Sequence, residues 1–125
     1  MDEVFPNDLK EFIGQHIHSV AQIELLLTLQ REPERQWTAD ELTTLLFLQP
    51  QMVHQILMDL VRRGFVAHSD DRFRYQPTNE AVADLIGRLA KLYRERRVAV
   101  ATEIFSKPID FVKAFADAFR LREEK

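Results

Sequence analysis

Gln51, His54 and Gln55 sit three and one residues apart in the stretch PQMVHQILMDLVRR, where most other positions are apolar. Amide and imidazole groups at helical spacing can read base edges. Glutamine pairs bidentately with adenine, and histidine offers a donor or a partial charge. Arg62 closes the same stretch. Arg72 and Arg74 follow, alternating with Phe73 and Tyr75, so that two guanidinium groups share one side of a strand and suit phosphate oxygens. Each group also has a plain reading: the wet side of an amphipathic helix, and arginines that protect a strand edge from pairing.

Other residues bound the chemistry. Arg88, Lys91, Arg94, Arg96 and Arg97, with Glu95 the one acid among them, form the densest basic run and suit an anionic partner or a solvated helix face. A helix turns 100° per residue, which spreads these five around its circumference. His16 and His18 share a side only if their segment is extended, and no third ligand is near in sequence, so no metal site is expected. The sequence holds no Cys, HExxH, glycine-rich phosphate loop or nucleophile elbow. Ser19, Ser69 and Ser106 fit caps or turns. Neither an enzyme nor a cofactor is expected.

The 125 residues suit one domain, and 46% hydrophobic with 30% charged residues is a globular balance. The net charge of −3 means that any contact with nucleic acid needs a local basic patch or two copies acting together. The absence of Cys is compatible with a reducing cytoplasm. The start, MDEVFPNDLKEF, is acidic and lacks an apolar core, so no signal peptide is expected there. No apolar run approaches the ~18 residues of a membrane span. A cytoplasmic location without a membrane partner is the expectation.

Six helices and a hairpin must position these groups. Residues 1–18 form a lead-in, with a short helix over Asp8–Ile13 stopped by Gly14. Ser19 and Gln22 have capping-box spacing ahead of a largely buried helix over 20–31. Thr38 and Glu41 repeat that spacing for a second helix, and Trp37 before it reads as a hydrophobic staple or a core plug. Leu48-Gln49-Pro50 breaks that helix, and Pro50 suits the first position of the next, over 50–63. Gly64 is the expected left-handed residue beyond it. Phe65–His68 and Arg72–Gln76 flank a polar turn and form a hairpin. A long helix over 79–104 and a last helix over 108–121 follow, the latter with Phe111, Phe115 and Phe119 on one side. That stripe reads as packed core or interface rather than a membrane surface, because Asp110, Lys113 and Asp117 line the polar side.

The segment TADELTTLLFLQPQMVHQILMDLVRRGFV, with its apolar spacing, mid-turn proline, closing Arg-Gly and strand start, resembles winged-helix transcriptional regulators, broadly MarR-like. The resemblance covers about a third of the chain directly. It implies a mainly α fold: a winged helix-turn-helix, with a three-helix core and β-hairpin wing over 19–77, and additional C-terminal helices over 78–125, all in one compact unit. It implies that helix 50–63 reads double-stranded DNA through Gln51, His54, Gln55 and Arg62, while Arg72 and Arg74 serve as wing arginines. It also implies a homodimer through the terminal helices, with Leu89, Tyr93, Phe111, Phe115 and Phe119 at the seam, and half-sites about 34 Å apart. The sequence departs from the pattern in that the first two turns of helix 50–63 carry no full cation. Asp59 is expected on or near the DNA side, where it would repel phosphate, and Asp40 and Glu41 open the preceding helix. The alternative is a winged-helix module for a protein partner that does not bind DNA.

Overall fold

The computed structural model describes residues 5–106. These form helices α1 (Asn7–His16), α2 (Val20–Arg31), α3 (Ala39–Leu46) and α4 (Pro50–Arg62), strands β1 (Val66–Ser69) and β2 (Arg72–Tyr75), then α5 (Glu80–Glu95) and α6 (Arg97–Phe105). The protein is mainly helical with one small antiparallel sheet, an arrangement compatible with a helix-turn-helix plus wing.

Helix α2 is the centre of the core. Ile23, Leu25, Leu26 and Leu29 are fully buried, since apolar residues occupy more than one face. Its start is fixed by Ser19, whose Oγ accepts from the Gln22 N–H at 3.0 Å. The Gln22 side chain reaches one residue beyond the usual capping-box partner and accepts from the His18 N–H at 2.7 Å. Thr38 and Glu41 form a complete capping box at the start of α3.

Two boundaries and one pairing differ from the sequence expectations. Helix α1 continues past Gly14 to His16. Leu9, Phe12, Ile13 and Ile17 are all buried, and that burial outweighs the ~1 kcal/mol by which glycine disfavours a helix. The lead-in therefore supplies core side chains. The expected helix over 79–104 is two helices, broken at Arg96 (φ −137°, ψ 58°). The break lets α6 pack against α1 and α5 and bury Val100 and Ile104. Third, Trp37 pairs with Phe73 through mutual backbone hydrogen bonds of 2.8 and 2.7 Å, which adds a bridge beside β2. Trp37 is a core plug at 2% exposure, and its indole Nε1 is buried without a partner among the described residues. The expected helix over 108–121, with Pro108, lies outside the described residues.

The end of α4 sets the direction of the hairpin. The Phe65 N–H donates to the Leu60 carbonyl at 3.0 Å, and the Gly64 N–H to the Val61 carbonyl at 3.0 Å. This is a Schellman closure, with Gly64 in the left-handed region at φ +84°. The backbone turns there, and β1 begins at once alongside α4. Thr78 holds the returning chain, its hydroxyl donating to the Gly64 carbonyl at 2.8 Å. A Cβ at residue 64 would lie 2.2 Å from that same Thr78 Oγ1.

Gly64→Ala is expected to lower stability by about 2 kcal/mol or more, from the left-handed backbone and the clash together. Thermal or urea melting measures this. In a Thr78→Ala background the same change is expected to cost less, because the clash is gone. Equal costs in both backgrounds would show that the close approach to Thr78 is not a constraint.

Candidate functional site

Helix α4 buries Val53, Leu57 and Leu60 against the core, so the helical period turns Gln51, His54, Gln55 and Arg62 outward. All four are exposed. Pro50 opens the helix at a position where a missing N–H costs nothing. The turn before it is made by Phe47, a non-glycine residue in the left-handed region at φ 57° and 93% exposed. Leu45 and Met52 flank it in sequence and are also exposed. Nothing in the residue pattern around Phe47 marks it as a solvated side chain. Only the direction of the turn does.

The hairpin register pairs Val66 with Tyr75, Ala67 with Arg74, His68 with Phe73 and Ser69 with Arg72. Directly opposed residues share a face. One face therefore carries Val66, His68, Phe73 and Tyr75, and it buries Val66 and Phe73. The other carries Arg72 and Arg74. Asp70, at φ 57°, and Asp71 form the tip.

This register separates the residues that the sequence analysis grouped. His54 lines a cleft of about 400 Å³ with Thr38, Ala39, Asp40, His68, Asp70, Asp71 and Phe73. The His68 and Phe73 rings stack at 4.3 Å in its wall. Arg72 and Arg74 instead flank a smaller cleft, about 120 Å³, with Gln36, Ala67 and Ser69. The space between α4 and the hairpin is thus edged by three aspartates, while the arginines occupy the hairpin's other face. Arg72 lies 3.9 Å from Asp71, and Arg74 donates to Gln76. Both are exposed interactions of the kind that contributes little and exchanges readily.

Asp59 does not lie free beside the outward strip. Its carboxylate, 21% exposed, accepts from Arg63 Nε at 2.7 Å, from Arg62 and from Gln22 Nε2 at 3.3 Å. Arg63 is the joint between helices. Its Nη1 donates to the Gln15 carbonyl at 3.1 Å and meets His16 Nδ1 at 3.1 Å, and its Nη2 meets His18 Nε2 at 3.1 Å. Gln22 Nε2 adds a bond to the His16 carbonyl at 2.8 Å. His16 and His18 are therefore placed by a guanidinium. Among the described residues no group of three or more His, Cys, Asp or Glu side chains could hold a metal ion.

The dimer-seam residues divide. Leu89 is fully buried and Tyr93 is 7% exposed, so both are spent within one subunit. Their helical period matched an interface, but α1, α2 and α6 already cover that face of α5. Phe111, Phe115 and Phe119 lie outside the described residues. The basic run also divides. Arg88 is bound by Asp8 at 2.8 Å and Asp84 at 3.4 Å, while Arg94 and Arg97 share a cleft with Arg31 of α2.

Comparison with family models, with curated proteins and with solved structures finds no match. No helix among the described residues is long and apolar enough to cross a membrane.

Burial holds the His16 imidazole below its ordinary value of 6.5, and the charges of Arg63 and His18 push the same way against Asp59. The folded state thus favours neutral His16, whose Nδ1 can accept from Arg63. The unfolded chain binds a proton more readily, so this contribution to stability is present above pH ~6.5 and is lost as the pH falls below it. His16→Gln keeps an acceptor without the titration. It is expected to show a smaller drop in melting temperature between pH 7.5 and 5 than the parent protein. Parallel melting curves would rule out the His16 contribution.

Proposed function

We propose that this protein is a winged-helix DNA-binding protein of the transcription-regulator type, with α4 as the reading helix and the β1–β2 hairpin as its wing. The observation that carries the reading is the exposed strip of Gln51, His54 and Gln55 on a proline-led helix, with an arginine-bearing hairpin directly after it. An α-helix fits the major groove, where glutamine discriminates adenine. Arg72 and Arg74 leave their weak exposed partners for phosphate at small cost. The acidic edge at Asp40, Asp70 and Asp71 keeps non-specific affinity low, so binding depends on base contacts more than is usual.

Two copies acting on two half-sites would supply the missing charge and register. Such a homodimer cannot use Leu89 or Tyr93. Val98 and Phe105, seven residues apart on α6 and 78% and 76% exposed, give an apolar face for it.

A second reading, a module for a protein partner, is favoured by one specific observation. Leu45, Phe47 and Met52 expose apolar side chains around the turn that leads into α4. On that reading the aspartates beside His54 exclude nucleic acid.

Arg72→Glu with Arg74→Glu is expected to weaken binding about tenfold or more on every duplex alike, with a shallower salt dependence. Gln55→Ala is expected to change sequence preference, at a cost of about 1–3 kcal/mol on the preferred site. Selection from random duplex at low salt, followed by gel-shift titration across salt, measures both. Parent binding no stronger than that of the double-Glu variant would remove the wing from the reading. No retention of duplex, together with one stoichiometric protein partner lost on Phe47→Ser, would replace it with the second reading.

A further inference from the structure

A cleft of about 510 Å³ lies where α2, α5 and α6 meet, lined by Glu24, Leu27, Arg31, Tyr93, Arg94 and Arg97. It shares no residue with α4 or the hairpin. Three guanidinium groups from three helices face one carboxylate, a local excess of two positive charges on a chain whose formal charge is −3. Elsewhere among the described residues, Arg88 and Arg63 are matched by carboxylates. Here they are not. Arg94 makes no ion pair among the described residues, and Arg31 donates to the Thr28 hydroxyl at 3.4 Å. Arg97 reaches Glu24 at 3.2 Å, but it is 68% exposed, so this pair is weak and easily exchanged.

The single acid is held in place. Tyr93 Oη donates to Glu24 Oε2 at 2.6 Å, and Arg97 lies over the Tyr93 ring at 5.1 Å from its centroid. Leu27 and Tyr93, both nearly buried, contribute an apolar floor. The volume falls in the range of about 300–1,000 Å³ typical of small-molecule sites. Guanidinium forks match tetrahedral oxyanions bidentately, and several around one cleft favour a ligand of more than one negative charge.

We infer that this cleft binds a small multivalent phosphate, with Arg31, Arg94 and Arg97 gripping its oxygens and Glu24 competing for Arg97. It is a ligand site separate from the face proposed for DNA.

Isothermal titration of the full 125-residue chain with sodium pyrophosphate at low ionic strength tests this. Saturable binding of one pyrophosphate per chain is expected. Arg31→Gln and Arg94→Gln are each expected to weaken it about tenfold, and their exposed positions leave the fold intact. Glu24→Gln is expected to tighten it several-fold, because the amide still accepts from Tyr93 while the competing charge is gone. A merely structural Glu24 would give no tightening. Arg72→Glu with Arg74→Glu is expected to leave pyrophosphate binding unchanged whether or not it affects duplex binding. The inference is overturned by no saturable heat up to about 10 mM pyrophosphate. It is equally overturned by Arg94→Gln binding as the parent does, or by Glu24→Gln binding no tighter. Loss of duplex DNA binding in Arg31→Gln/Arg94→Gln would overturn it too, by assigning the cleft to nucleic-acid backbone.

Discussion

The backbone at Gly64 is the constraint on which the rest depends. A left-handed residue there closes α4, satisfies two of its last carbonyls and turns the chain into β1 within one step. With that direction fixed, the strand register decides which hairpin face meets the core and which meets solvent. Thr78 reinforces the turn from the far end of the hairpin, so exit and return are tied at one carbonyl. A side chain at this position would strain the backbone and collide with the hydroxyl that secures it. The angle between α4 and the hairpin is thus set by an absence of atoms.

A polar joint performs a matching task at the same end of α4. Asp59, Arg63 and Gln22 link the end of α4 to the start of α2, and Arg63 extends the link to the last turn of α1. Partly buried charges need such partners, since an unpaired one in this position would cost far more than an exposed pair contributes. The joint explains why Arg63 and Asp59 are unavailable to a ligand although both sit near the exposed strip. It also sets the His16 imidazole against a guanidinium in a partly buried site that lowers its pKa, which makes the junction of α1, α2 and α4 responsive to acid.

Shape and charge pull the functional reading in different directions, and the weight given to each rests on magnitude. The outward strip on α4 and the adjoining hairpin have the form of a groove-reading element. The aspartates at the hairpin tip and at the start of α3 oppose phosphate, yet they are exposed and screened by salt. On the DNA-binding proposal they would reduce affinity rather than forbid binding. The exposed apolar turn around Phe47 belongs to the other reading, in which a protein surface covers it. The basic cleft of α2, α5 and α6 stands apart from both, for its charge excess arises where the chain contributes three arginines and only one acid.

Local rules were enough to place much of the fold. Capping residues Ser19, Thr38 and Asn79, the proline at the start of α4, Gly64 after its end and the alternation through Phe73 and Tyr75 each act within a few residues, and a sequence reader can see them. They gave the order of elements from α2 to β2 and the outward set Gln51, His54, Gln55 and Arg62. What they do not carry is distance between elements. The helical period of Leu89 and Tyr93 marks an apolar face without saying whether its own chain or another covers it, and the packing of α1, α2 and α6 decided that. The break at Arg96 has no glycine or proline to announce it, and it follows from how α6 must turn to bury Val100 and Ile104. Arg31 lies 63 residues from Arg94 in the chain, so no local pattern joins them. Their meeting, like the turning of Asp59 inward and the separation of Arg72 and Arg74 from His54, was decided only in three dimensions, because charge and packing act through space while capping and periodicity act along the chain.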